Sequence, residues 1–319
     1  MKAIGGYFEL ELPFHKEYHC DAIALNTGRN CLEYILCVRN YSHVYLPYYT
    51  CSSILEPFKK LGVSYSFYHI NIKLELELLP KLKTGEALLY TNYFGIKQEY
   101  VSYLASIYGD QLIVDNTQAF FSKPIPSIGT FYSCRKFFGV PDGAYLYCDK
   151  ELDVKLEQDE SWVRMNHLLK RIDLSPEEGY AEFKSNDKSL ENQPIKIMSQ
   201  LTRRIMQSID YNGVAKCRQN NYKILCDTLN STNEIDLSFF NDTVPMAYPY
   251  LVKDENLRLR LIQNKIFVAQ YWPNVLQWVK EDSKEYYFTT HLLPLPIDQR
   301  YGKEDIKRLL FVTNNIYKI

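Results

Sequence analysis

From about residue 22 to 150, short β-rich runs alternate with amphipathic segments, and this alternation constrains the chain more than any other feature. Units of that kind set parallel strands side by side with helices across both faces, so the sequence predicts an α/β fold on a mainly parallel sheet. Strands are expected at 44–46, ending at Pro47, and at 64–70, 87–93, 112–115, 129–133 and 144–148. A helix should begin near Gly28, because Cys31, Leu32, Ile35 and Leu36 recur at the spacing of one buried helical face. Residues 150–195 change character. Acids around Pro176 and the polar run Ser185-Asn186-Asp187-Lys188-Ser189 read as a long, partly irregular connection. Helices over 195–209, 214–229 and 303–317 and a strand over 246–252 suggest a smaller C-terminal α/β unit, giving a large domain over 1–195 and a small one over 196–319.

The composition narrows the function classes. With 46% hydrophobic and 24% charged residues, the chain has neither the charge excess of disorder nor an apolar run of membrane-spanning length. A net charge of −1 gives no overall attraction to nucleic acid or to an anionic membrane, so a bound phosphate is expected to belong to a small molecule. The N-terminal sequence has no apolar core of signal-peptide length, and the chain reads as cytoplasmic. The eight cysteines form no C-x-x-C pair and read as thiols rather than disulfides or metal ligands. The 27 tyrosines read as a bias of the whole chain.

Three places carry chemistry. Lys136 follows the 129–133 strand and precedes Gly139, Pro141 and Gly143, which puts it at the carboxyl edge of a parallel sheet, where open α/β folds bind ligands. Ser133, three residues earlier, can turn its hydroxyl toward a phosphate. Asp115 ends the apolar strand that begins at Leu112. Thr27-Gly28-Arg29-Asn30 stands at a helix start, where free N–H groups and the helix dipole attract a phosphate and Gly28 admits close approach. Plainer readings remain beside these: two solvated bases at Arg135-Lys136, a turn cap at Asp115, an ordinary turn or cap at Gly28. Taken together, a lysine, an acid at a strand end and a phosphate cradle are, with a group against the ring, what transamination on pyridoxal 5'-phosphate requires, the acid keeping the pyridine nitrogen protonated.

The order of these pieces resembles a family. Ala24-Leu25-Asn26-Thr27-Gly28-Arg29-Asn30-Cys31-Leu32 is similar to the glycine-centred phosphate turn of the DegT/DnrJ/EryC1/StrS sugar aminotransferases, fold-type I enzymes that use pyridoxal phosphate. Leu46-Pro47-Tyr48-Tyr49-Thr50 resembles that family's P-x-x-T motif, and Asn92-Tyr93-Phe94-Gly95 the turn after its next strand. Asp115-Asn116-Thr117-Gln118-Ala119 resembles D-x-x-Q-A, and His291-Leu292-Leu293-Pro294-Leu295-Pro296 its closing strand.

The resemblance implies that Lys136 carries the cofactor, Asp115 meets the pyridine nitrogen and Gln118 lies near the ring hydroxyl. Cys51 falls where an aromatic often stacks on the ring, a role that Tyr48 or Tyr49 could take. Arg29 and Asn30 stand where small hydroxyl residues are usual, Phe131 where a phosphate serine often stands, and Pro141-Asp142-Gly143 replaces a G-E-G turn. Arg29 could restore a phosphate contact as a charged donor. No segment before Met198 matches the family's G-Y-N-x-R-M stretch, which reaches the partner's site. The family's properties imply a small-molecule amino donor such as glutamate, a keto-sugar nucleotide acceptor for glycan biosynthesis, and a homodimer with shared sites, without metal, nucleic acid or membrane. Two alternatives stand beside this: a sugar-modifying lyase or dehydratase on the same cofactor, and a non-catalytic relative of the fold. The cluster from Trp162 to His167 reads as a helix with one buried face.

Overall fold

The computed structural model describes residues 4–235, 237 and 243–314. Strands β1 (Ile23–Leu25), β2 (His43–Pro47), β3 (Ser64–Tyr68), β4 (Glu86–Thr91), β5 (Leu112–Asp115), β6 (Gly129–Ser133) and β7 (Ala144–Tyr147) form one sheet in the order β1-β7-β6-β5-β4-β2-β3. Pairing is parallel from β3 through to β6, while β7 runs antiparallel to both β6 and β1. The strands expected from the sequence are all present, with ends displaced by up to two residues. Strand β1 was not expected. Three residues are too few to show a period, and antiparallel pairing with β7 defines it.

Side chains alternate between two cores, as a sheet covered on both faces demands. Ala87, Leu89, Ile113, Phe131, Ala144 and Leu146 pack into one cluster with α1 (Gly28–Arg39) and α2 (Leu55–Leu61). Their neighbours Leu88, Tyr90, Leu112, Val114, Tyr132 and Tyr145 face the opposite cluster, where α3 (Gln98–Tyr108) adds Val101 and Leu104. Helix α1 starts where expected. The Thr27 hydroxyl accepts the Asn30 N–H at 3.2 Å, and the helix stops at Asn40, whose φ of 52° places it in the left-handed region.

The connection after β7 is more ordered than its composition suggests. It contains α4 (Asn166–Asp173) and α5 (Tyr180–Ser189), and the polar run from Ser185 to Ser189 is the last turn of α5. Specific side-chain contacts hold this helix where no broad apolar stripe does: Asn186 Nδ2 donates to the Pro141 carbonyl at 2.8 Å, and Lys170 pairs with Glu182. Trp162–Arg164 forms a 3-10 turn, and Arg164 lies between Asp142 and Asp159 at 2.5 and 2.6 Å.

The remainder comprises α6 (Gln200–Met206), α7 (Tyr211–Leu229), β8 (Tyr248–Leu251), α8 (Leu257–Gln263), α9 (Val275–Trp278), α10 (Lys284–His291), β9 (Leu292–Leu295) and α11 (Lys303–Thr313), with β8 and β9 as an antiparallel pair. Of the helix expected over 303–317, residues 315–317 lie outside the described residues. Leu225 and Leu229 of α7 and Ile306 and Leu309 of α11 join the apolar cluster on the α3 face of the sheet. The eight cysteines are free thiols. Among the described residues no helix is long and apolar enough to cross a membrane.

Candidate active site

The carboxyl ends of β4, β5 and β6 open onto a cavity of about 260 Å³, lined by their last residues Thr91, Asp115 and Ser133. The start of α1 contributes Thr27, Gly28 and Arg29. The chain after β2 contributes Thr50 and Cys51, and the turn after β5 adds Thr117 and Gln118. Arg135 and Lys136 come from the 3-10 turn after β6. Motifs spread over more than a hundred residues thus converge because each lies at the carboxyl end of a strand that runs in the same direction, β1 included, since it is antiparallel to β7 and β7 to β6.

Two residues expected here are placed elsewhere. Asn30 turns into the protein, where its side-chain amide bonds the Gln193 carbonyl at 2.8 Å and Glu33 at 3.2 Å. Tyr49 is fully buried in the aromatic core, with ring centroids 5.7 Å from Tyr93 and 4.9 Å from Trp272. Tyr48 packs on Phe67 instead. Trp272 itself lines the cavity, and the sequence had not singled it out.

Asp115 is buried, and its Oδ1 accepts the Thr117 N–H at 2.8 Å. Burial raises its carboxyl above the usual range, while hydrogen bonds from Thr117 and Thr91 and the charge on Lys136 pull it back. Lys136 Nζ lies 5.8 Å from the centre of the Tyr271 ring, and Tyr271 stacks on Trp272 at 5.1 Å. The lysine turn is gripped from the C-terminal side. The Phe137 carbonyl accepts Gln299 Nε2 at 2.8 Å and Arg218 Nη2 at 3.3 Å, and the buried Arg218 guanidinium lies 4.6 Å from the Phe137 ring centre.

Gly143 closes the site from behind. Its φ is +100°, and a Cβ there would stand 2.7 Å from Thr202 Cγ2, so only glycine fits without a shift. Its N–H donates to the Asn26 carbonyl at 2.7 Å and its carbonyl accepts the Cys134 N–H at 3.0 Å, which ties the start of α1 to the lysine turn.

Among the described residues, two buried donors in the cavity wall have no hydrogen-bond partner. Gln118 uses its Oε1 to accept the Phe94 N–H at 2.8 Å, leaving Nε2 unbonded. Arg29 Nη1 is 3.7 Å from Glu56 Oε2, beyond hydrogen-bond length, and is also unbonded. Buried donors left unmet are costly, so the pair fits a ligand that brings acceptor oxygens.

No family model matches the sequence, and no curated protein matches it either. Solved structures do. A DegT DnrJ EryC1 StrS aminotransferase from Brucella abortus superposes with a TM-score of 0.59 at 12% identity, covering 93% of this chain and 86% of that one. The sugar aminotransferase CalS13 from Micromonospora echinospora gives 0.62 at 11% identity, over 93% and 87%. NtdA from Bacillus subtilis, solved with bound cofactor PMP, gives 0.64 at 14% identity, over 93% and 73%. The fold is that of the sugar aminotransferases. At these identities the likeness establishes architecture, and the chemistry of the cavity is argued from its own residues.

Proposed function

We propose that this cavity binds pyridoxal 5'-phosphate and that the chain is an aminotransferase. In this reading it moves an amino group from glutamate to a nucleotide-linked keto-sugar and works as a cytoplasmic homodimer. The observation that carries the reading is that Lys136 and the buried carboxylate of Asp115 line one cavity with the unmet donors of Arg29 and Gln118. A primary amine, an acid, a helix N-terminus with Arg29 beside it, and the spare donor of Gln118 match in turn an aldehyde, a pyridine nitrogen, a phosphate and a ring hydroxyl. The proposed donor, acceptor and assembly draw on the resemblance of the motifs and on the sugar aminotransferases that share the fold.

When bound, the cofactor supplies an electron sink for the charge left at a substrate carbon. The chain's residues do the rest. The Lys136 amine would hold the cofactor covalently and would move a proton to and from the substrate's Cα. Asp115, held by the Thr117 N–H, keeps a proton on the ring nitrogen. The N–H groups at the start of α1, with Arg29 and Ser133, hold the phosphate. Gln118 Nε2, free of a hydrogen-bond partner, would donate to the ring hydroxyl oxygen, and Phe131 and Trp272 give the cavity aromatic walls.

The test is the visible absorption spectrum of the protein mixed with pyridoxal phosphate, beside Lys136→Ala, before and after glutamate. The expected result is a band of lysine-bound cofactor in the wild type only, bleached by glutamate. A band in both proteins would overturn the role of Lys136. A wild-type band indifferent to glutamate would reject that donor and favour a lyase or dehydratase reaction, and no band in either would leave a non-catalytic relative of the fold.

A further inference from the structure

Arg135 stands beside Lys136 in the cavity wall and has no part in the assignments above. Its Nη1 donates to Asp187 Oδ1 at 2.9 Å, and its guanidinium lies 5.8 Å from the centre of the Phe183 ring. The two ends of this ion pair differ in exposure. The Arg135 side chain is 20% exposed and that of Asp187 53%, so the cation is set into the wall while its partner stands in solvent at the mouth. Asp187 belongs to the last turn of α5 and also lines the cavity.

This geometry has a physical reading. A guanidinium presents a planar fork that suits a carboxylate through two parallel bonds, and here it makes one bond to Asp187. An ion pair with one partner half in water contributes little stability and exchanges readily. The phosphate corner has a cation of its own in Arg29, whose Nη1 is unbonded. An amino acid that delivers its nitrogen near Lys136 carries its carboxylate on the same carbon, so an anchor for that carboxylate belongs beside the lysine. Arg135 precedes Lys136 in the chain and lines the same cavity.

We propose that Arg135 is the anchor for the amino donor's α-carboxylate and that Asp187 holds the guanidinium until the donor displaces it. The proposal rests on the aminotransferase reading, and it makes α5 a side wall that loosens when a donor binds. Asp187 is in effect a carboxylate already seated where the substrate's carboxylate goes.

The experiment measures 2-oxoglutarate binding to the cofactor-free protein by calorimetry, for wild type, Arg135→Gln, Arg135→Lys and Asp187→Asn. In parallel, the affinity of each for pyridoxal phosphate is read from the visible band. The expected pattern is a loss of about tenfold or more in 2-oxoglutarate affinity for Arg135→Gln, partly recovered in Arg135→Lys, which keeps the charge without the fork. Asp187→Asn should bind about two- to fivefold more tightly, the scale of an exposed ion pair removed from competition. Cofactor affinity should stay within about twofold throughout, since the anchor does not touch the phosphate. Equal 2-oxoglutarate affinity in all four proteins, or no binding to the wild type, would overturn the proposal, and so would a loss of cofactor in place of 2-oxoglutarate, which assigns Arg135 to the phosphate. If the wild type forms no band but the 2-oxoglutarate pattern holds, the aminotransferase reading fails and the carboxylate anchor stands. If the band forms without the pattern, the anchor alone falls.

Discussion

Burial works against the charge on Asp115, and that single residue shows how the site departs from what stability alone would select. Its folded-state pKa is raised, chiefly by desolvation. A carboxyl shifted upward favours the fold below the ordinary carboxylate range, and that contribution is lost as pH rises through the raised value. Asp115→Asn should therefore raise the melting temperature of the cofactor-free protein, by more at pH 7 than at pH 4. Transamination should fall about a hundredfold or more, the scale of removing a preorganised charge from a buried site. Thermal scans at the two pH values with a glutamate half-reaction check both halves; a variant that is less stable at pH 7, or as fast as wild type, contradicts the role given to Asp115. Asp115 and Lys136 stood out in the sequence because one ends a β-rich run and the other follows the next, whereas Gln118 was read only from the resemblance of Asp115-Asn116-Thr117-Gln118-Ala119 to a family motif. The facing of Asn30 and Tyr49 could not, since residue type does not say whether a side chain beside a site turns toward it or into the core. Trp272 carried no local signal, because its place in the wall is made by packing against Tyr49 and Tyr271.

Among the elements, strands β2 to β7 were legible from their apolar runs and the glycines and prolines between them. Helix α5 was not. Its hold depends on Asn186 reaching the Pro141 carbonyl, a contact with chain more than forty positions away. The segment before β1 depends on tertiary contacts in the same way. There the buried His19 donates from Nε2 to the Phe120 carbonyl at 2.7 Å, so as the neutral tautomer it accepts the Tyr147 hydroxyl at Nδ1, 3.1 Å away. Burial pushes its pKa down to about 4. A histidine lowered in this way stabilises the fold above its unfolded value near 6.5, and the contribution is lost as pH falls toward the folded value. The loss across that window should be on the order of 3 kcal/mol. His19→Gln should remove that share of the acid sensitivity, so denaturant melts of both proteins at pH 7 and pH 4.5 should converge at the lower value. A difference that stays constant with pH would show that His19 is not buried as the neutral ring.

At the scale of the whole molecule, the cavity is a joint product of the sheet and the C-terminal elements. One apolar cluster runs from the α3 face of the sheet through α7, β8, β9 and α11. From that side Trp272 completes the wall, while Arg218 and Gln299 fix the carbonyl next to Lys136. Burial lowers the Arg218 guanidinium to about 10, which still leaves a cation at neutral pH behind the lysine turn. The overall α/β architecture was legible because the alternation of strand and helix permits few arrangements. The grip on Phe137 was not, since nothing local in the sequence ties Arg218 and Gln299 to one carbonyl oxygen. All of these contacts converge on one lysine. The direct measurement is to incubate the protein with stoichiometric pyridoxal phosphate, reduce with borohydride and map the labelled peptides by mass spectrometry. The account predicts a pyridoxyl group on the peptide that contains Lys136, at near-complete occupancy and on no other lysine to a comparable extent. Label spread across surface lysines, or a Lys136 peptide recovered unmodified, would contradict it.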